Sequence, residues 1–127
     1  MNQKLYFTLD ELNPRQHVLT QEQIINLTIL IDKISVLRDN YGKPMKVTSG
    51  VRSMEDQMRI NPKAPNSAHR TGEAVDILDD GSLKQFIANN LTLIEELDLY
   101  FEDFDHTPTW VHIQTRKPKS GNRFFKP

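Results

Sequence analysis

Apolar residues recur at helical spacing along the first third of the chain. Ile24, Leu27, Ile31, Ile34 and Leu37 fall three or four positions apart, which puts them on one stripe of an α-helix. Thr20-Gln-Glu-Gln23 ahead of them has the form of a capping box, and Gly42 stands just past the last turn. Together these predict a scaffold helix over about 21–40. Ile25, Ile29, Leu30 and Val36 widen the stripe and predict that this helix is deeply buried. Upstream, Thr8-Leu-Asp-Glu11 reads as the capping box of a short helix that Asn13-Pro14 ends.

Downstream the period shortens. Met45–Ser49 is β-prone and lies between Pro44 and Gly50, so a strand entering a turn is predicted. Ser53 caps a helix to about Ile60, and 61–72, with two prolines and two asparagines, is irregular loop. A strand over 74–78 precedes a turn at Asp80-Gly81. Ser82-x-x-Gln85 caps a helix to about Asn90, and Thr92-x-x-Glu95 opens another. Segments 98–104 and 109–115 read as two strands joined by Asp105-His-Thr-Pro108. The result is an α+β domain, a small antiparallel sheet with helices packed on one face. Residues 1–44 form a helical scaffold, 45–115 the core of the site, and 116–127 a basic tail.

Length and composition narrow the chemistry. The 127 residues make one domain, with enough chain for a core without staples. Cysteine is absent, which excludes disulfides, thiolate metal sites and thiol nucleophiles. The net charge of −1 gives no global field for nucleic acid or an anionic membrane. The tail carries Arg116, Lys117, Lys119, Arg123 and Lys126 without an acid, a pattern that raises a nucleic-acid partner. The favoured reading is a solvated tail, or one packing Phe124-Phe125 on the domain, with no nucleic acid expected. No apolar run approaches a membrane span, and the first ten residues lack the apolar core of a signal peptide. A monomer made in the cytoplasm is expected, reaching any external target through lysis or another component.

The candidate chemistry lies in Ser67-Ala-His-Arg-Thr-Gly-Glu-Ala-Val-Asp76 and in Trp110-Val-His112. Two imidazoles and a carboxylate, with a fourth position open, are the donor set of a catalytic zinc. Such a metal makes hydroxide available near neutral pH, which points to metal-assisted hydrolysis. His69 and Asp76, seven residues apart, would be about 23 Å apart if extended. The chain between them must therefore fold back, and Gly72 is the residue free to turn it. Alternation puts Ala74 and Asp76 on one strand face, with Val75 and Ile77 on the other. It likewise puts Trp110 and His112 opposite Val111 and Ile113, so pairing the two strands would bring Asp76 to His112.

These motifs, with Ser49-Gly-Val-Arg-Ser53 upstream and the Trp-Val-His-Ile113 run, resemble metallopeptidase family fifteen over about 49–113. That family includes zinc D-Ala-D-Ala carboxypeptidases, D-Ala-D-Ala dipeptidases and phage L-alanyl-D-glutamate endolysins. The ending Ser120-Gly-Asn-Arg-Phe-Phe-Lys-Pro127 is also similar to small phage and prophage members. The resemblance implies the fold shared by hedgehog domains and D,D-peptidases, with Zn²⁺ held by His69, Asp76 and His112. It implies peptidoglycan stem peptides with D-amino acids as substrate. It also gives Arg52 the role of stabilising charge on the scissile carbonyl, a role a permanently charged guanidinium suits. Ser67 matches a substrate-holding serine, with loop capping as its alternative, and Arg52 has a salt bridge to Glu55 or Asp56 as its own. Trp110 either shapes a substrate wall or fills core.

The general base is less defined. Many relatives carry a glutamate where this chain has Thr109, which cannot take a proton. Others place the acid in the preceding strand, where Glu102 fits best, sharing a face with Tyr100 and Phe104 while Asp103 points away. Asp105 is next, and Asp103 and His106 also compete. Thr109 sustains a second reading: a catalytically silent, metal-binding cell-wall or phage structural module of the same fold. His17 reads as an ordinary surface residue.

Overall fold

The computed structural model describes residues 4–127; Met1–Gln3, the start of the stretch read above for a leader, lie outside them. The scaffold helix α1 spans Gln21–Tyr41. The Thr20 hydroxyl accepts from the Gln23 amide while the Gln23 side chain accepts from the Thr20 amide, a reciprocal cap that stabilises a helix start by about 0.5–2 kcal/mol. Leu27, Leu30, Ile31, Ile34 and Leu37 are buried, but Ile25 and Ile29 are 50% and 45% exposed. The predicted wide stripe is thus a narrow one, because α1 packs against a single layer and its far side meets solvent. The helix expected from Thr8 is a turn only. Thr8 accepts from the Glu11 amide and its carbonyl from Leu12, and the chain then turns away at Asn13-Pro14.

After α1 come β1 (Val47–Ser49), α2 (Met54–Ile60), β2 (Ala74–Leu78), α3 (Ser82–Ala88), α4 (Leu91–Leu97), β3 (Tyr100–Glu102), β4 (Trp110–Gln114) and β5 (Phe124–Phe125). The sheet order is β1-β2-β4-β3-β5, antiparallel except for β5, which runs parallel to β3. Val75, Ile77, Phe101, Val111 and Ile113 face the core with α1, Leu83 and Ile87 of α3, and Ile94 of α4. The opposite face carries Ala74, Asp76, His112 and Gln114. This is the predicted α+β domain, with two departures: the tail adds β5 as a parallel edge strand, and α2 gives no residue to the core and stands beside the polar face instead.

Three local readings change. Ser82 is the first residue of α3 rather than its cap. The Asp79 carboxylate accepts from the Leu83 and Lys84 amides, and Ser82 hydrogen-bonds Tyr41 and Lys43. Helix α4 begins one residue before Thr92 without a side-chain cap. The strand expected over 98–104 is Tyr100–Glu102, because Asp103 caps a short 3₁₀ turn at Phe104–His106 and breaks the alternation.

The tail is not wholly a solvated segment. Phe124 stacks on Phe101 with ring centroids 5.5 Å apart and meets Phe104 edge-on, which gives β3 a covered edge.

Candidate metal centre

The β2–β4 register sets Asp76 directly opposite His112. His69 arrives from the loop ahead of β2, which folds back through Gly72 at φ +80. Helix α1 holds that loop: the Gln23 and Asn26 side-chain amides donate to the Arg70 and Thr71 carbonyls. A Cβ on Gly72 would lie 2.9 Å from the Gln23 carbonyl oxygen. On the other side, Gly50 accepts from His69 Nδ1 at 2.8 Å and lies so near Leu12 that a Cβ there would meet its carbonyl oxygen at 2.0 Å. The Arg52 amide donates to the His69 carbonyl, so the arginine and the histidine share one backbone anchor.

His69, Asp76 and His112 are all buried, and each offers a ligand atom within 4.8 Å of the others. His69 Nδ1 must donate to the Gly50 carbonyl, which leaves Nε2, 3.4 Å from Asp76 Oδ2, to share a proton with that carboxylate or to give its lone pair to a metal. His112 Nε2 faces the Gln114 amide oxygen at 2.7 Å, and its Nδ1 lies 3.0 Å from Asp76 Oδ1. Acceptors converging this closely among buried side chains require a cation between them, either a proton or a metal. Burial alone would push Asp76 up, yet hydrogen bonds from His112 and His69 hold it well below the usual carboxylate range. Burial pushes His69 down. It opposes the charged form of His112 too, but there the Asp76 hydrogen bond and charge prevail and the group is raised. Two imidazoles, each oriented by a hydrogen bond on its other nitrogen, and one carboxylate beside Arg52 fit a divalent metal with borderline-soft preferences.

The cluster sits in a cleft of about 730 Å³. Arg52 stands at its wall, 3.6 Å from Asp76 Oδ2, held by Ser49 Oγ and by the Gln57 amide oxygen. The alternative of a salt bridge to Glu55 or Asp56 is not what the fold makes; Asp56 is taken by Arg15, His17 and Arg59. Burial lowers the Arg52 pKa while the Asp76, Asp56 and Glu102 charges raise it. His17 is therefore no ordinary surface residue, since its Nε2 lies 2.9 Å from the buried Asp56 carboxylate.

Glu102 and Asp76 are the acids lining the cleft among the described residues. Alternation from the Tyr100–Gln114 pair carries Glu102 to the His112 face. Burial raises its pKa; His112 lowers it and Asp76 raises it further. Asp103, Asp105 and His106 line none of this cleft: Asp103 caps the 3₁₀ turn, and Asp105 and His106 are exposed within it. Thr109 borders a separate depression beside Leu78 and Tyr41. Ser67 lines the cleft, and its hydroxyl accepts from the His69 amide, the local capping contact expected as its alternative. Trp110 is half-buried on the cleft wall rather than in the core.

Gln57 and Gln114 were not singled out by sequence, and Gly50 and Phe125 were named there only as a turn residue within a motif and as a tail aromatic, not as parts of the site. Gln114 did carry a signal: it falls two residues after His112, on the same strand face.

The match to the Peptidase M15 family model runs over residues 5–114. The chain belongs to the M15 peptidase family. Comparisons with curated proteins and with solved structures gave no match. The M15 match takes in every residue of the cluster, together with Arg52 and Glu102, and stops at the end of β4. The tail strand β5 lies beyond it, yet this peptidase uses that strand to complete its cleft, where Phe125 meets the His112 ring edge-on at 6.0 Å.

Proposed function

We propose that this M15 member is a zinc peptidase that hydrolyses peptidoglycan stem peptides containing D-amino acids, as a D,D-carboxypeptidase or as an endopeptidase of the endolysin type. The supporting observation is the convergence of His69 Nε2, His112 Nδ1 and the Asp76 carboxylate beside Arg52 and Glu102 in one cleft. His69, Asp76 and His112 would hold the ion. Zinc in that position supplies Lewis acidity and makes hydroxide available near neutral pH.

The chain's own residues divide the remaining work. Glu102, half-buried and raised by desolvation, accepts a proton from the attacking water and returns it to the leaving amine. Arg52 is clamped by Ser49 and Gln57 yet keeps N–H donors free, and it stabilises negative charge building on the carbonyl oxygen. Ser67 and Trp110 border the path of the peptide and orient it.

The test is zinc analysis of the purified protein, followed by incubation with purified peptidoglycan and with synthetic D-Ala-D-Ala and L-Ala-D-Glu peptides. New amino termini that vanish with chelator and return with zinc are expected. Stoichiometric zinc without any released amine would leave the silent cell-wall or phage module as the better description.

A further inference from the structure

We propose that Gln114 is a positioning residue that dictates which nitrogen of His112 is offered to the metal. The inference rests on the metal-centre reading above and deepens it. Gln114 is 6% exposed and shares the cluster face of β4 with His112. Its side-chain nitrogen donates to the Arg116 carbonyl at 2.7 Å. The amide therefore has only one orientation: its nitrogen faces that carbonyl, and its oxygen faces His112 Nε2, also at 2.7 Å. A carbonyl oxygen only accepts, so Nε2 must carry the proton. Nδ1, 3.0 Å from Asp76, is then the nitrogen whose lone pair a metal can take in place of the proton shared with that carboxylate.

The anchor for this arrangement is itself fixed. The Arg116 guanidinium donates to Glu73, to the Thr71 hydroxyl and to the Asn66 carbonyl, all on the loop that carries His69. One arginine thus ties the end of β4 to the loop of the other histidine. The two imidazoles enter the cluster through opposite nitrogens. His69 is set by a backbone carbonyl that no substitution removes, whereas His112 is set by a side chain that one substitution does. Without Gln114 the ring is free to rotate or to change tautomer, and the donor set is no longer preorganised.

The experiment uses the full chain loaded with ¹¹³Cd²⁺ or Zn²⁺. Gln114→Leu keeps the volume and removes the acceptor; Gln114→Glu keeps an acceptor for Nε2–H. Chelator competition is expected to show zinc affinity about 10–100-fold weaker for Gln114→Leu and a clearly smaller loss for Gln114→Glu, which keeps the acceptor but not the donor to the Arg116 carbonyl. ¹¹³Cd–¹⁵N couplings should reach Nδ1 of His112 and Nε2 of His69 in the wild type. Cadmium on Nε2 of His112, or a Gln114→Leu protein with wild-type affinity and unchanged couplings, would overturn the assignment. Should Gln114→Leu fail to fold, the wild-type couplings and the Gln114→Glu affinity still decide it. Binding at neither histidine is a different failure, one that removes the metal centre itself and this inference with it.

Discussion

Glu102 carries two opposed demands. A base must hold its carboxylate where water is scarce, and that same scarcity makes the charged form costly. Its folded pKa is raised, so between the ordinary value and the raised one the folded state binds more protons than the unfolded chain, and stability falls as pH rises through that window. Above the window the cost is fully present; well below the ordinary carboxylate range it disappears. Glu102→Gln is therefore expected to lower peptide hydrolysis by about 10²–10⁴-fold with zinc content retained. Thermal melts of the metal-free protein should place the variant above wild type at pH 7, with the gap closing on acidification. Undiminished turnover would remove Glu102 from the mechanism, and a variant less stable at pH 7 would contradict the desolvation argument.

At the scale of elements, the metal centre depends on loops pressed against other segments more than on strand geometry. Strands β2 and β4 supply Asp76 and His112 through ordinary pairing. His69 depends on Gly50 and Gly72, two backbone approaches with no room for a side chain. Their penalties differ in kind. At Gly72 the strain of positive φ, of order 1–3 kcal/mol, is joined by a tight contact with α1. At Gly50 a methyl group would overlap a carbonyl oxygen outright. Gly72→Ala should stay folded, with a lower urea midpoint and weaker zinc binding. Gly50→Ala should lose far more stability, because Leu12, the Val51 amide and the His69 ring all lock there. Equal midpoints for the two variants in urea titrations would refute this ranking. The N-terminal turn thus serves the metal loop, although its sequence suggested only a short helix.

At the scale of the whole molecule, the core and the metal cluster lie on opposite faces of one sheet. The apolar layer from Leu27 to Ile113 includes none of the three candidate ligands. Removing metal should therefore end activity without unfolding the chain, unlike a structural zinc site, where the ion supplies the folding energy. A ligand at a thousand times its dissociation constant stabilises by about 4 kcal/mol. Chelator should lower the melting temperature by several degrees and leave far-ultraviolet circular dichroism unchanged at 25 °C. Loss of the helical signal on chelation would show that the ion is part of the fold.

Much of this architecture follows from local pattern. The capping box and stripe of α1 and the alternation of β2 and β4, which sets Asp76 opposite His112, rest on periods of a few residues, which steric rules translate directly into faces. Sequence by itself therefore determined the α+β class, the M15 motifs and the side of each strand that bears chemistry. Tertiary structure decided what depends on distant partners. It limited the burial of α1 to one stripe, exchanged Ser82 for Asp79 as the cap of α3, and paired His17 with Asp56. It also laid the basic tail down as β5 and turned Asp103, Asp105 and His106 out of the cleft. Gln114 shows why: its spacing from His112 is local, but the carbonyl that fixes its amide is held by Arg116 against the His69 loop. A hydrogen bond requires both partners in place, and chain separation in sequence gives no measure of their distance in space.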